Sequence, residues 1–92
     1  MNDKSRQDEL YEQAAAAYGA ALERLARAYE AEPESRRDLM QDIHVALWRS
    51  FELFDSRCSI RTWVYRVAHN TAPLLSRGGR GEVAPYHGYV KR

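Results

Sequence analysis

From Gln7 to Glu32 the apolar positions Leu10, Ala14, Tyr18, Leu22, Leu25 and Tyr29 recur at steps of four, four, four, three and four, which keeps them on one helical face. Alanine-rich composition favours helix throughout, whereas Gly19 costs about 1 kcal/mol relative to alanine in a helix interior. The pattern therefore predicts one long helix or two, with Tyr18-Gly19 as the kink or break. Pro33 marks the end, because the residue before a proline is pushed out of the helical region. Ser35 is the candidate N-cap of the next helix, and Asp38 three residues later completes an approximate capping box. That helix is expected to run to about Leu53, with Leu39, Ile43, Ala46, Leu47, Phe51 and Phe54 as its inward stripe. Asp38, Gln41, Asp42, Val45 and Arg49 make a second stripe on another face, polar except for Val45. Such a face serves as a solvated surface or as a docking surface, and spacing does not choose between them.

Asp55 to Cys58 reads as a short polar loop. Ser59 can cap a third helix, with Thr62 in its first turn and Trp63 to Thr71 as its body. Val64, Val67 and Ala68 can turn inward; Arg61, Trp63, Arg66, His69 and Asn70 carry too much hydrogen-bonding and stacking capacity to be plain core. Pro73 is expected to stop the helix near Asn70 to Ala72. Beyond it, Ser76 to Gly81 is glycine-rich and basic, and Glu82 to Arg92 has no period, so residues 73–92 read as a loose tail or linker stump. No useful strand alternation and no internal repeat is present. The expectation is an all-α bundle of three or four helices over residues 7–72.

Composition narrows the class. At 92 residues, 45% hydrophobic and 29% charged, the chain has room for one small soluble domain, and not for two. Thirteen of the apolar residues are alanines, so the core must be modest and a partner is a natural source of further burial. The longest uncharged apolar stretch, Ala14 to Leu22, falls far short of the ~20 residues a membrane span needs. Met1 to Asp8 lacks the basic-then-apolar order of a signal peptide, and the expected compartment is the cytoplasm. A single cysteine, Cys58, excludes an internal disulfide and a cysteine-rich zinc site. The overall charge of +1 hides an asymmetry: residues 1–54 carry seven basic against eleven acidic residues, net −4, and residues 55–92 seven against two, net +5. Such a chain can be a solvated dipole, or can offer an acidic surface to a basic protein and a basic one to nucleic acid.

Enzyme signatures are nearly absent, with no glycine-rich phosphate loop, no His-Glu-x-x-His pair and no Gly-x-Ser-x-Gly elbow. Gly78-Gly79-x-Gly81 lacks the strand that should precede it. His44, Cys58, His69 and His87 lack the close paired spacing of structural zinc sites, so neither catalysis nor a metal or cofactor is expected. The concentration of Trp, Tyr, Arg, His and Asn from Arg57 to Asn70 has two readings. Trp63 and Tyr65 can be core anchors flanked by solvated arginines. Alternatively the guanidinium groups neutralise phosphates, exposed aromatic faces stack on unpaired bases, and Asn or Ser side chains read base edges. Single-stranded DNA suits the second reading better than duplex, since the break before Ser59 is longer and less glycine-rich than a helix-turn-helix prefers.

The ordered set Asp38-Leu39-Met40-Gln41-Asp42, Ala46-Leu47-Trp48-Arg49, Phe54-Asp55 and Ser59-Ile60-Arg61-Thr62-Trp63-Val64-Tyr65-Arg66-Val67-Ala68-His69-Asn70 resembles region two of bacterial sigma factors, most of all the extracytoplasmic-function class. The resemblance covers about Leu10 to Ala72. It implies that Asp38, Gln41, Asp42, Val45 and Arg49 bind core RNA polymerase, on the clamp helices of its largest catalytic subunit. It also implies that Arg57 to Ser59 form a pocket for an extruded base, and that Arg61, Thr62, Trp63, Arg66, His69 and Asn70 contact the non-template strand of the promoter's minus-ten element. Trp63 can serve that scheme by stacking or by packing. The chain differs from the family pattern at His44, where phenylalanine is common, at Asp42, where glutamate is common, and at Ala72-Pro73, where the helix usually continues. The helix-turn-helix domain that reads the minus-thirty-five element is missing from these residues, so the chain reads as an excised domain or a stand-alone version. A non-initiating decoy for polymerase or for an anti-sigma factor is the alternative function, and an anti-sigma factor is a further candidate partner.

Overall fold

A computed structural model of the chain describes residues 5–76. The bundle is all-α, with three helices: α1 (Arg6–Tyr29), α2 (Pro33–Ser50) and α3 (Ile60–Leu75). Each packs on the other two. The glycine-rich stretch from Arg77 and the remainder of the expected tail lie outside the described residues, as does His87.

Helix α1 starts where Ser5 accepts a hydrogen bond from the Asp8 amide at 3.1 Å, with Asp8 and Glu9 at the positive end and Arg27 in the last turn. It is continuous through Gly19, so the break expected there does not occur. Ala14, Leu22 and Ala26, fully buried on both sides of the glycine, pack the helix against its neighbours, and their burial outweighs one glycine's propensity cost.

Helix α2 begins at Pro33, not after Ser35. A first-position amide has no partner within the helix, so proline forfeits nothing there and its fixed φ is already helical. Ser35 instead donates its hydroxyl to the Glu32 carboxylate at 3.0 Å. The helix ends at Ser50, three residues short of the expected Leu53. Tight turns follow, with the Leu53 amide donating to the Ser50 carbonyl at 2.9 Å. These turns sink Phe51 and Phe54 into the core and leave Leu53 77% exposed.

Ser59 caps α3 as its position suggested, accepting from the Thr62 amide at 3.0 Å. Pro73 does not stop the helix, which runs on to Leu75. Proline removes one bond, to the carbonyl of residue 69, and that residue lies on the exposed side where water can replace the donor. The turn is anchored beyond it: the Ser76 amide donates to the Ala72 carbonyl at 2.9 Å, and the Ser76 hydroxyl donates to the buried Glu30 carboxylate at 2.9 Å. The core comprises Ala14, Leu22 and Ala26 from α1, Leu39, Ile43 and Leu47 from α2, Phe51 and Phe54 from the turns, and Val64, Val67, Ala68 and Ala72 from α3. Of the inward stripe expected for α2, only Ala46 is partly rather than fully buried.

Candidate functional site

Asp38, Gln41, Asp42, Val45 and Arg49 are all exposed on α2. At about 100° per residue they fall within a sector roughly 100° wide, opposite the buried stripe. Two carboxylates, an amide and a guanidinium thus surround Val45, which is 50% exposed, and Trp48 at 40% extends the apolar part of the surface. On the flank facing α1, His44 is hydrogen-bonded through Nδ1 to the Tyr11 hydroxyl at 2.8 Å, with the rings edge to face at 5.8 Å. Burial lowers the His44 pKa below its ordinary value and favours the neutral ring.

The segment from Phe51 to Ser59 joins this surface to α3. The Asp55 carboxylate accepts the Arg57 amide at 3.1 Å and pairs with its guanidinium at 3.1 Å, both groups exposed. Between them Ser56 adopts φ 67°, the left-handed region seldom occupied by residues other than glycine. Ser59 spends its hydroxyl locally, accepting from the Thr62 amide and donating to the Thr62 hydroxyl at 3.1 Å. Along α3, Arg61, Thr62, Arg66 and His69 are exposed and Asn70 is half-buried. Trp63 turns toward the bundle: its indole N–H donates to the Ser50 hydroxyl at 2.9 Å and its ring lies 5.2 Å from that of Phe54. Its observed contacts, one hydrogen bond and one ring contact, are both with the bundle.

Two sets of contacts escaped the sequence reading. Tyr65 stands between Arg61, whose guanidinium lies 5.6 Å from its ring centre, and His69 at 6.2 Å, with Tyr18 of α1 at 6.0 Å. The four-residue spacing of Arg61, Tyr65 and His69 was a signal that could have found this ladder. The first turn of α1 carried no signal. There Gln7 donates to the Trp48 carbonyl at 2.8 Å, the Trp48 indole donates to Asp8 at 2.8 Å, and Arg6 donates to the Phe54 carbonyl at 3.2 Å. These partners lie at least forty residues apart in the chain. Among the described residues no three His, Cys, Asp or Glu side chains converge as metal ligands, and no helix is long and apolar enough to cross a membrane.

The family model for sigma-70 region 2 matches residues 14–73, which include both exposed surfaces and the loop between them. The chain belongs to the sigma-70 region 2 family. It is also similar to the ECF RNA polymerase sigma factor SigG of Mycobacterium tuberculosis, from strains CDC 1551 / Oshkosh and ATCC 25618 / H37Rv, at 35% identity over 48 residues in each case. The similarity spans 52% of this chain and 13% of the length of those relatives. No solved structure gives a significant match. The region 2 match begins after the first two turns of α1, so Arg6, Gln7 and Asp8 precede it.

Proposed function

We propose that this region 2 domain joins core RNA polymerase to minus-ten promoter DNA. In this reading the stripe Asp38, Gln41, Asp42, Val45 and Arg49 docks on the clamp helices of the largest catalytic subunit. Carboxylates and an amide suit a basic partner, while Val45 and Trp48 give a dry apolar contact at its centre. Arg57 and Ser59 then border a pocket for an extruded base of the non-template strand, and Arg61, Thr62, Arg66, His69 and Asn70 track the strand beside it. Trp63, held against Phe54, shapes the wall of that pocket. The observation that carries the reading is spatial: an acidic-apolar face on α2 and a basic, aromatic face on α3 are joined by one nine-residue connection, Phe51 to Ser59, inside the family match.

Promoter opening would then proceed by capture. Extruding a base costs a few kcal/mol in lost stacking and pairing. Stacking on a side chain returns about 1–3 kcal/mol per base, and arginine contacts to phosphates add an electrostatic contribution that falls with salt. Replacing Asp38 and Gln41 together by alanine tests the docking half. The double variant should bind core polymerase at least about tenfold more weakly, the loss expected for two interface contacts of this kind, with unchanged helicity. Equal affinity would refute the assignment of this face.

A further inference from the structure

The connection between α2 and α3 holds an unusual backbone at Ser56, whose φ of 67° is costly for a serine and calls for support. The support comes from α1. Arg6 reaches across with both terminal nitrogens, Nη1 donating to the Phe54 carbonyl at 3.2 Å and Nη2 to the Ser56 hydroxyl at 3.4 Å. Its guanidinium carbon also lies 6.0 Å from the centre of the Phe54 ring, within cation–π range. The fork therefore grips the chain on both sides of Asp55. Asp55 in turn fixes the next residue, accepting the Arg57 amide and pairing with its guanidinium.

We propose that Arg6, which precedes the residues matched by the family, is the positioning residue of the base-capture loop: by clamping Phe54 and Ser56 it sets the direction in which Asp55 presents Arg57. The inference rests on the functional reading above, since it assigns Arg6 a part in capture. Arginine is required because one planar group must donate to two acceptors at a fixed separation; lysine offers a compact point charge that cannot span both. Without the fork the left-handed turn at Ser56 is one of several loop conformations, and the pocket loses its preorganised shape. Glycine at position 56 would adopt the same backbone freely, so it should restore the loop without the clamp.

The test uses the full chain bound to core polymerase and a panel of labelled non-template oligonucleotides in which each minus-ten position is varied to all four bases. The readouts are the ratio of the best to the average affinity and the salt slope, for wild type, Arg6→Ala, Arg6→Lys and Arg6→Ala with Ser56→Gly. Arg6→Ala and Arg6→Lys should lower the discrimination ratio roughly tenfold, the equivalent of one charge-assisted hydrogen bond, without changing polymerase affinity or the salt slope. Ser56→Gly should recover most of the ratio in the Arg6→Ala background. Retained discrimination in Arg6→Ala would overturn the proposal. So would a uniform loss for every sequence with the salt slope reduced by about 0.7, which would make Arg6 a phosphate contact instead. Failure of the wild-type complex to discriminate at all would refute the capture reading itself, and the proposal with it.

Discussion

Ser50 sits at the last position of α2 and is 5% exposed, with its hydroxyl donating to the Leu47 carbonyl at 2.7 Å and accepting the Trp63 indole N–H at 2.9 Å. Alanine at this position leaves the helix backbone intact and creates a void of one oxygen atom, so the cost comes from the two hydrogen bonds. The Leu47 carbonyl still accepts from the Phe51 amide at 3.2 Å, which makes the first loss small. The second strands an indole donor, for which the penalty is about 1–3 kcal/mol when fully buried. Trp63 is only half-buried and water can reach part of its edge, which places Ser50→Ala near the lower end, about 1–1.5 kcal/mol. For a domain of this size that corresponds to a fall in Tm of roughly 4–12 °C. Trp63→Phe keeps a ring against Phe54 but has no N–H, so Ser50→Ala should cost only a few tenths of a kcal/mol in that background. Urea unfolding followed by far-ultraviolet circular dichroism would measure the cycle. Additivity within ~0.5 kcal/mol would refute the reasoning, because the indole N–H would then not depend on Ser50.

Other positions give independent checks. Gly19→Ala should stabilise the domain by about 0.5–1 kcal/mol, since a Cβ there meets nothing within 4 Å and α1 is continuous; a loss of stability in the same urea experiment would show that the helix needs the glycine. For His44 the folded pKa lies below the ordinary 6.5, so the unfolded chain binds the proton more readily. Its contribution is therefore present in full above pH 6.5 and is lost as the pH falls from there through the folded pKa. His44→Phe should flatten the pH dependence of the unfolding midpoint over that acidic range, and an unchanged profile would contradict the assignment. Arg66→Ala with Asn70→Ala should weaken strand capture, with a salt slope reduced by about 0.7 for the arginine; an unaltered slope would argue against a phosphate contact there.

The bundle was legible wherever a single helix carries its own period. Leu39, Ile43 and Leu47 could be placed inside, and Asp38, Gln41, Asp42, Val45 and Arg49 outside, because 3.6 residues per turn fixes which positions share a face. Ser59 could be placed as a cap because its acceptor acts on an amide three residues away. The one glycine and two prolines that misled did so because a local preference met a tertiary context. Gly19 is carried by buried neighbours, Pro33 occupies the one helical position that suits it, and Pro73 is followed by a turn that Ser76 ties to Glu30. Contacts between elements left no trace in the pattern. Nothing in the spacing of Arg6, Gln7 and Asp8 says that they meet Phe54 and Trp48, and only the packing of α1 on α2 brings them together. Trp63 was ambiguous for the same reason: its role depends on a serine thirteen residues upstream.

In the proposed function one domain holds polymerase on α2 and the non-template strand on the loop and α3. Its most direct test is binding of the full chain to core RNA polymerase, with and without a labelled minus-ten non-template oligonucleotide, at two salt concentrations. The chain should bind polymerase, and the complex should capture the oligonucleotide with sequence selectivity and with an affinity that falls as salt rises. Polymerase binding without capture, or no binding to polymerase at all, would contradict it.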